Sequence, residues 1–177
     1  MDHYIPKRRI PVTLWSDHVS AVQGSVFLDL DPAGNRHQTV LEKLNESTRF
    51  LPVAVGAEGR IHLFNKHRLA RVTCGKQVVA TDVFARGFLP WREEQAEVKL
   101  ADGATLTGRL WMPLARETQR ISDFLNQHGW EYFPLITPSA IHLIHTASVI
   151  GVELAESAGA PLAPPDEAGT SPSIAAA

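Results

Sequence analysis

The chain has 177 residues, 44% hydrophobic and 20% charged, with a formal net charge of −2. This is a globular composition with room for one ordinary domain or two small ones, and it argues against a dedicated nucleic-acid binder, whose domain is usually basic. One cysteine, Cys74, allows no intrachain disulfide, the opening MDHYIPKRRIP carries no apolar signal core, and no run reaches the roughly 18–20 apolar residues of a membrane span. The expected location is cytoplasmic.

In chain order, residues 1–10 form an N-terminal arm, and residues 12–15 read as a strand. Residues 22–28 read as a second strand with Gly24 inside it, the mark of a bend or bulge. Thr39-Val40-Leu41-Glu42 has the T-x-x-E form of a capping box; Val40 and Leu44 give the short helix its inward face, and Asn45 closes it. Residues 50–55, 60–64 and 68–72 are three further strands, the last two a pair. The connector, 74–95, holds Val78, Val79, Val83, Phe84, Phe88, Leu89 and Trp91, so it is expected to pack rather than hang loose. Beyond it Glu97-Val98-Lys99-Leu100 alternates, Asp102-Gly103 is a hairpin turn, and 105–112 alternates again around Gly108. Ile121 and Leu125 share one face of a short helix ending at Asn126; 132–136, 141–145 and 149–152 are strands. From Glu156 the composition is Ala, Pro, Ser and Gly, which predicts disorder.

The two series are one pattern written twice. IHLFNKHRLARV at 61–72 aligns without a gap with IHLIHTASVIGV at 141–152; upstream, Leu44-Asn45 matches Leu125-Asn126, Pro52 matches Pro134, Gly24 matches Gly108, Leu14 matches Leu100 and Val12 matches Val98. A duplication makes each copy one structural unit. The expected fold class is mainly β with short helices (α+β): two tandem β-β-α-β-β-β repeats, 11–73 and 96–155, joined by the connector 74–95 and followed by the tail 156–177. About 60 residues is near the lower limit for an independent domain, so the two units are expected to pack together, with pseudo-two-fold symmetry, or to pair across a dimer.

The segments EVKLADGATLTGRLWM and FNKHRLARV resemble the Sm-like small β-barrel of the bacterial RNA-chaperone type. Asp102-Gly103 with Gly108 is similar to that family's first strands, and Lys66-His67 followed by Leu69 and Val72 is similar to its last strand pair. The chain departs from the family in its inserted helix, its two units and Thr146-Ala147 where repeat 1 has Lys66-His67. The layout D/E-x-L-N, F-x-P-L, I-x-L is also similar to a bacterial domain family of unknown function. The Sm resemblance implies a small Sm/SH3-like barrel and, at the basic corner, RNA contact by Lys66, His67, Arg68 and Arg71.

The residues themselves offer other chemistry. His62 and His142 occupy the same place in both copies and are candidate metal or ligand residues, yet flanking Ile and Leu turn each away from the core, where a solvated face suffices. His142 and His145 lie three apart on a strand and point to opposite faces. Trp91, following Pro90, is the candidate aromatic anchor at an interface. No catalytic constellation is recognisable, and no enzyme activity, cofactor, membrane or DNA partner is expected. The chain reads as a non-enzymatic interaction, scaffold or regulatory module that binds a protein partner or itself. An Sm-like RNA-binding protein is the alternative, and a histidine-based sensing module a third.

Overall fold

A computed structural model describes residues 7–16, 21–30, 37–85, 88, 92–112, 120–126 and 130–155. In chain order these form β1 (Lys7–Ser16), β2 (Val22–Asp29), α1 (Val40–Asn45), β3 (Phe50–Val55), β4 (Arg60–Asn65), a 3-10 turn (Lys66–Arg68) and β5 (Leu69–Gly75). Helix α2 (Ala80–Val83) lies in the connector. The second series is β6 (Arg92–Leu100), β7 (Thr105–Met112), α3 (Ile121–Leu125), β8 (Tyr132–Ile136), β9 (Ala140–His145), a 3-10 turn (Thr146–Ser148) and β10 (Val149–Leu154). The described chain is mainly β with short helices. The strands form one open antiparallel sheet in the order β10-β6-β7-β8-β9-β5-β1-β2-β3-β4.

Each half repeats the same strand order: β5-β1-β2-β3-β4 in the first and β10-β6-β7-β8-β9 in the second. Details repeat as well. β5 bulges at Ala70 against β1, and β10 bulges at the equivalent Ile150 against β6. Gly24 and Gly108 stand where the next strand crosses closely. A Cβ on Gly24 would lie 2.6 Å from Val53 Cγ1, and one on Gly108 would lie 2.5 Å from the Ile136 carbonyl oxygen. Any larger residue must push that strand away. The capping box is formed, with the Thr39 hydroxyl accepting from the Glu42 N–H and the Glu42 carboxylate accepting from the Thr39 N–H.

Two expectations need correction. Register places Val12 opposite Gly24 and Ala96 opposite Gly108, so Val12 corresponds to Ala96 and Leu14 to Val98, two residues from the alignment drawn by sequence. A two-residue slip keeps every side chain on its own face, so alternation alone does not detect it. The halves also do not meet as a two-fold would require. Such an axis pairs like with like, whereas here β5 pairs with β9, the counterpart of β4. The joint is head-to-tail.

The apolar interior forms two clusters, one per half. Tyr132 and Leu143, although on β8 and β9, belong to the cluster of the first half. Strand β9 thus straddles the joint: Leu143 faces one core and Ile144 the other. Val78, Val83 and Phe84 of the connector are buried, while Val79 is exposed. β1 begins at Lys7 and β6 at Arg92. Trp91, Leu89 and the tail 156–177 lie outside the described residues.

Candidate functional site

The joint between the halves gathers most of the polar residues singled out by sequence. Its frame is the pair of 3-10 turns. In each, the preceding side chain caps the turn: Asn65 Oδ1 accepts from the His67 N–H, and His145 Nδ1 accepts from the Ala147 N–H, both at 3.2 Å. The next backbone N–H then donates to the residue just before β3 or β8, Lys66 to the Arg49 carbonyl at 3.0 Å and Thr146 to the Glu131 carbonyl at 2.8 Å.

Asn45, the last residue of α1, binds the backbone of the other half. Its Oδ1 accepts from the N–H groups of Glu131 and Tyr132 at 2.8 and 2.9 Å. Its Nδ2 donates to the Tyr132 carbonyl at 3.1 Å and to Leu41 of its own helix at 3.0 Å. The Tyr132 hydroxyl donates to the Lys66 carbonyl at 2.6 Å. Burial raises the pKa of that phenol above the ordinary tyrosine range, with the nearby Glu131 charge adding to it, and keeps it a donor.

The basic corner divides in two. Lys66 is buried, and its Nζ donates to the Leu44 carbonyl at 3.0 Å and to the Glu46 carbonyl, so the ammonium closes the C-terminal end of α1. Burial lowers its pKa, against the opposing pull of Glu131 and Glu46. Arg71 is buried as well, with its guanidinium 4.3 Å from the Trp15 ring centre and 3.8 Å from the Asp102 carboxylate. Only His67 and Arg68 of the four face solvent. The surface this corner offers a phosphate is therefore smaller than its sequence suggests.

The two matching histidines sit in different settings. His62 is exposed on the free strand β4, stacked with Phe64 at 6.3 Å. His142 is half-buried at the joint, where its Nδ1 lies 3.0 Å from the Thr73 hydroxyl. Burial, and then the Arg71 charge, depress its pKa to about 4. Strands β5, β1, β2 and β3 lie between β9 and β4 in the sheet.

A different set of potential ligands does converge. His67, Glu131 and His145 place one ligand atom each within 4.8 Å of one another, and the His67 and His145 rings meet edge to face at 5.9 Å. Two histidines and a carboxylate are a common set for zinc or iron. The turn competes with that use. A metal on Nε2 of His145 requires the proton on Nδ1, where the Ala147 N–H already points. A metal on Nδ1 displaces the same bond. Capping and metal ligation by His145 exclude each other, and the trio fits a hydrogen-bonded corner of the joint better than a metal centre. Sequence spacing missed it because the three residues come from separate elements that meet only after β5 and β9 pair.

The outer edges of the sheet carry the other notable feature. Phe50, Ile61 and Leu63 are exposed on β3 and β4, and Ile150 and Leu154 on β10. Between α3 and β10 lies a groove of about 560 Å³, walled by Ile121, Leu125, Val149, Val152 and Leu154. No helix among the described residues is long and apolar enough to cross a membrane. Comparison with protein-family models, with curated proteins and with solved structures finds no match to this chain.

Proposed function

We propose that this chain is a non-enzymatic interaction module made of two tandem Sm/SH3-like small barrels, acting in the cytoplasm as a scaffold or regulatory component. One observation carries this: the sheet ends on both sides in strands that expose large aliphatic side chains. Natural proteins usually blunt such edges with charge, proline or a covering element, because unpaired N–H and C=O groups recruit other strands. An edge that exposes aliphatic side chains among its polar ones is suited to strand addition, in which the backbone supplies affinity and alternate side chains supply selectivity. Phe50 and Leu63 are 51% and 66% exposed.

The test compares proteins recovered from native lysate by the wild-type chain and by the Leu63→Arg and Leu154→Arg variants, with and without nuclease. Partners lost with either variant and indifferent to nuclease support the proposal. Partners kept by both variants overturn it. Nuclease-sensitive RNA that depends on His67 and Arg68 would instead favour the Sm-like RNA-binding alternative.

A further inference from the structure

The internal joint is a worked example of how these edges are closed. Leu143 and Tyr132 of the second half share one buried cluster with Leu44 of α1 and Leu69 and Val72 of β5 in the first. Strand β9 pairs with β5 in a defined register, Val72 opposite Leu143 and Thr73 opposite His142. Asn45 then clasps the backbone of Glu131 and Tyr132. The strand edge, the apolar knob and the asparagine of this device recur at the free ends of the sheet.

The counterparts follow from the alignment of the halves. Leu63 on β4 corresponds to Leu143, and Phe50 on β3 to Tyr132. In the joint Leu143 and Tyr132 are fully buried; at the free edge their equivalents are 66% and 51% exposed. The socket recurs at the opposite end. Ile121, Leu125, Val149, Val152 and Leu154 correspond to Val40, Leu44, Leu69, Val72 and Cys74, and with Glu94, Arg120 and Ser122 at its rim they wall the open groove between α3 and β10. Cys74 is 1% exposed and Leu154 is 45% exposed. The clasp is also in place. Asn126 donates from Nδ2 to the Ser122 carbonyl at 2.7 Å, as Asn45 does to Leu41 at 3.0 Å.

We infer that the partner of these edges is a second copy of this chain, joined head-to-tail with β10 of one copy beside β4 of the next. Phe50 and Leu63 of one copy enter the α3–β10 groove of its neighbour. The register of the internal joint carries over as Val152 opposite Leu63, Glu153 opposite His62 and Leu154 opposite Ile61. Asn126 takes the backbone N–H groups of Arg49 and Phe50. One half offers the knob and the other the socket, so a copy cannot satisfy both ends by two-fold pairing, and the contact propagates to further copies as a ring or a filament. This inference rests on the edge-interaction function proposed above and names its partner.

Sedimentation of the full chain tests it. The wild type is expected at multiples of the 19.4 kDa chain mass at tens of micromolar. Leu63→Arg blocks the knob and Leu154→Arg blocks the socket. Each alone is expected as a monomer with an unchanged circular dichroism spectrum, since both positions are exposed. Mixed in equal amounts, they are expected to form a heterodimer through the one knob and one socket left intact. Asn126→Ala is expected to weaken wild-type association about tenfold, the loss of a typical hydrogen-bonded contact. A monomeric wild type, variants that still associate as the wild type does, or a mixture that stays monomeric would each overturn self-pairing. A monomeric wild type whose edge variants lose lysate partners would overturn self-pairing alone and leave the interaction proposal standing. Edge variants that keep every lysate partner would remove the interaction proposal too.

Discussion

The joint and the free edge share an Ile-His-Leu strand at equivalent places, set in different surroundings. Leu143 on β9 is buried between two halves, and Leu63 on β4, its equivalent, is 66% exposed. The comparison shows how little of a side chain's energetic role is set by its own sequence neighbours. Both leucines sit in an Ile-His-Leu strand that follows a tight turn. What separates them is the strand on the far side: β5 for Leu143 and, among the described residues, none for Leu63.

Paired substitutions test this contrast most directly, read on the dilute protein where edges are unpaired. Leu143→Asp buries a charge and removes core contacts, and is expected to cost about 3–5 kcal/mol in urea unfolding. Leu63→Asp is expected to stay within about 0.5 kcal/mol of the wild type. Equal losses would mean that β4 is covered in the single chain.

The clasps come next. Asn45→Ala removes bonds to two N–H groups and a carbonyl of the opposite half and is expected to cost about 2 kcal/mol. Asn126→Ala, whose described bond stays within its own helix, is expected to cost about 0.5 kcal/mol in the same assay. The distinction fails if the two variants unfold together.

Acid provides a third way to separate the regions. His142 titrates near 4 in the folded chain and near its ordinary 6.5 when unfolded. The unfolded state therefore binds more protons between these values. Stability contributed by neutral His142 is complete above about 6.5 and is lost as the pH falls toward 4. The expected loss is about 1–2 kcal/mol, below the full shift because part of the ring meets solvent. His142→Asn should flatten the pH dependence of the unfolding midpoint over that interval, and an unaltered slope would assign the effect elsewhere. The smallest expected change is Tyr132→Phe, about 1 kcal/mol for the hydroxyl that donates to the Lys66 carbonyl, against no measurable change for Phe50→Leu at the equivalent exposed site.

Much of the fold was legible because it is local. The capping box at Thr39, the hairpin at Asp102-Gly103 and the alternation around Gly24 and Gly108 each depend on residues a few positions apart. The duplication then carried the strand order and the two strand glycines from one half to the other. The joint was not legible, since alternation reports which face a side chain takes and is silent on which strand lies alongside. The same gap hid the candidate site. Lys66 reads as an exposed turn lysine beside His67 and Arg68, but its place at the end of α1 depends on how the helix packs under the turn. His67, Glu131 and His145 come together only through the joint, and the symmetric pair His62 and His142, prominent in sequence, marks two unlike edges.

The joint lies within one polypeptide, and that fixes its reaction order. Closing β5 against β9 is unimolecular, because the connector holds the second half at a high effective concentration near the first, and the closed fraction does not change on dilution. Cutting the chain between Gly75 and Arg92 would make the same closure second-order. The two fragments would then part as their concentration falls, and the concentration at which half remain joined would measure how strongly β9 holds β5 once the tether is gone.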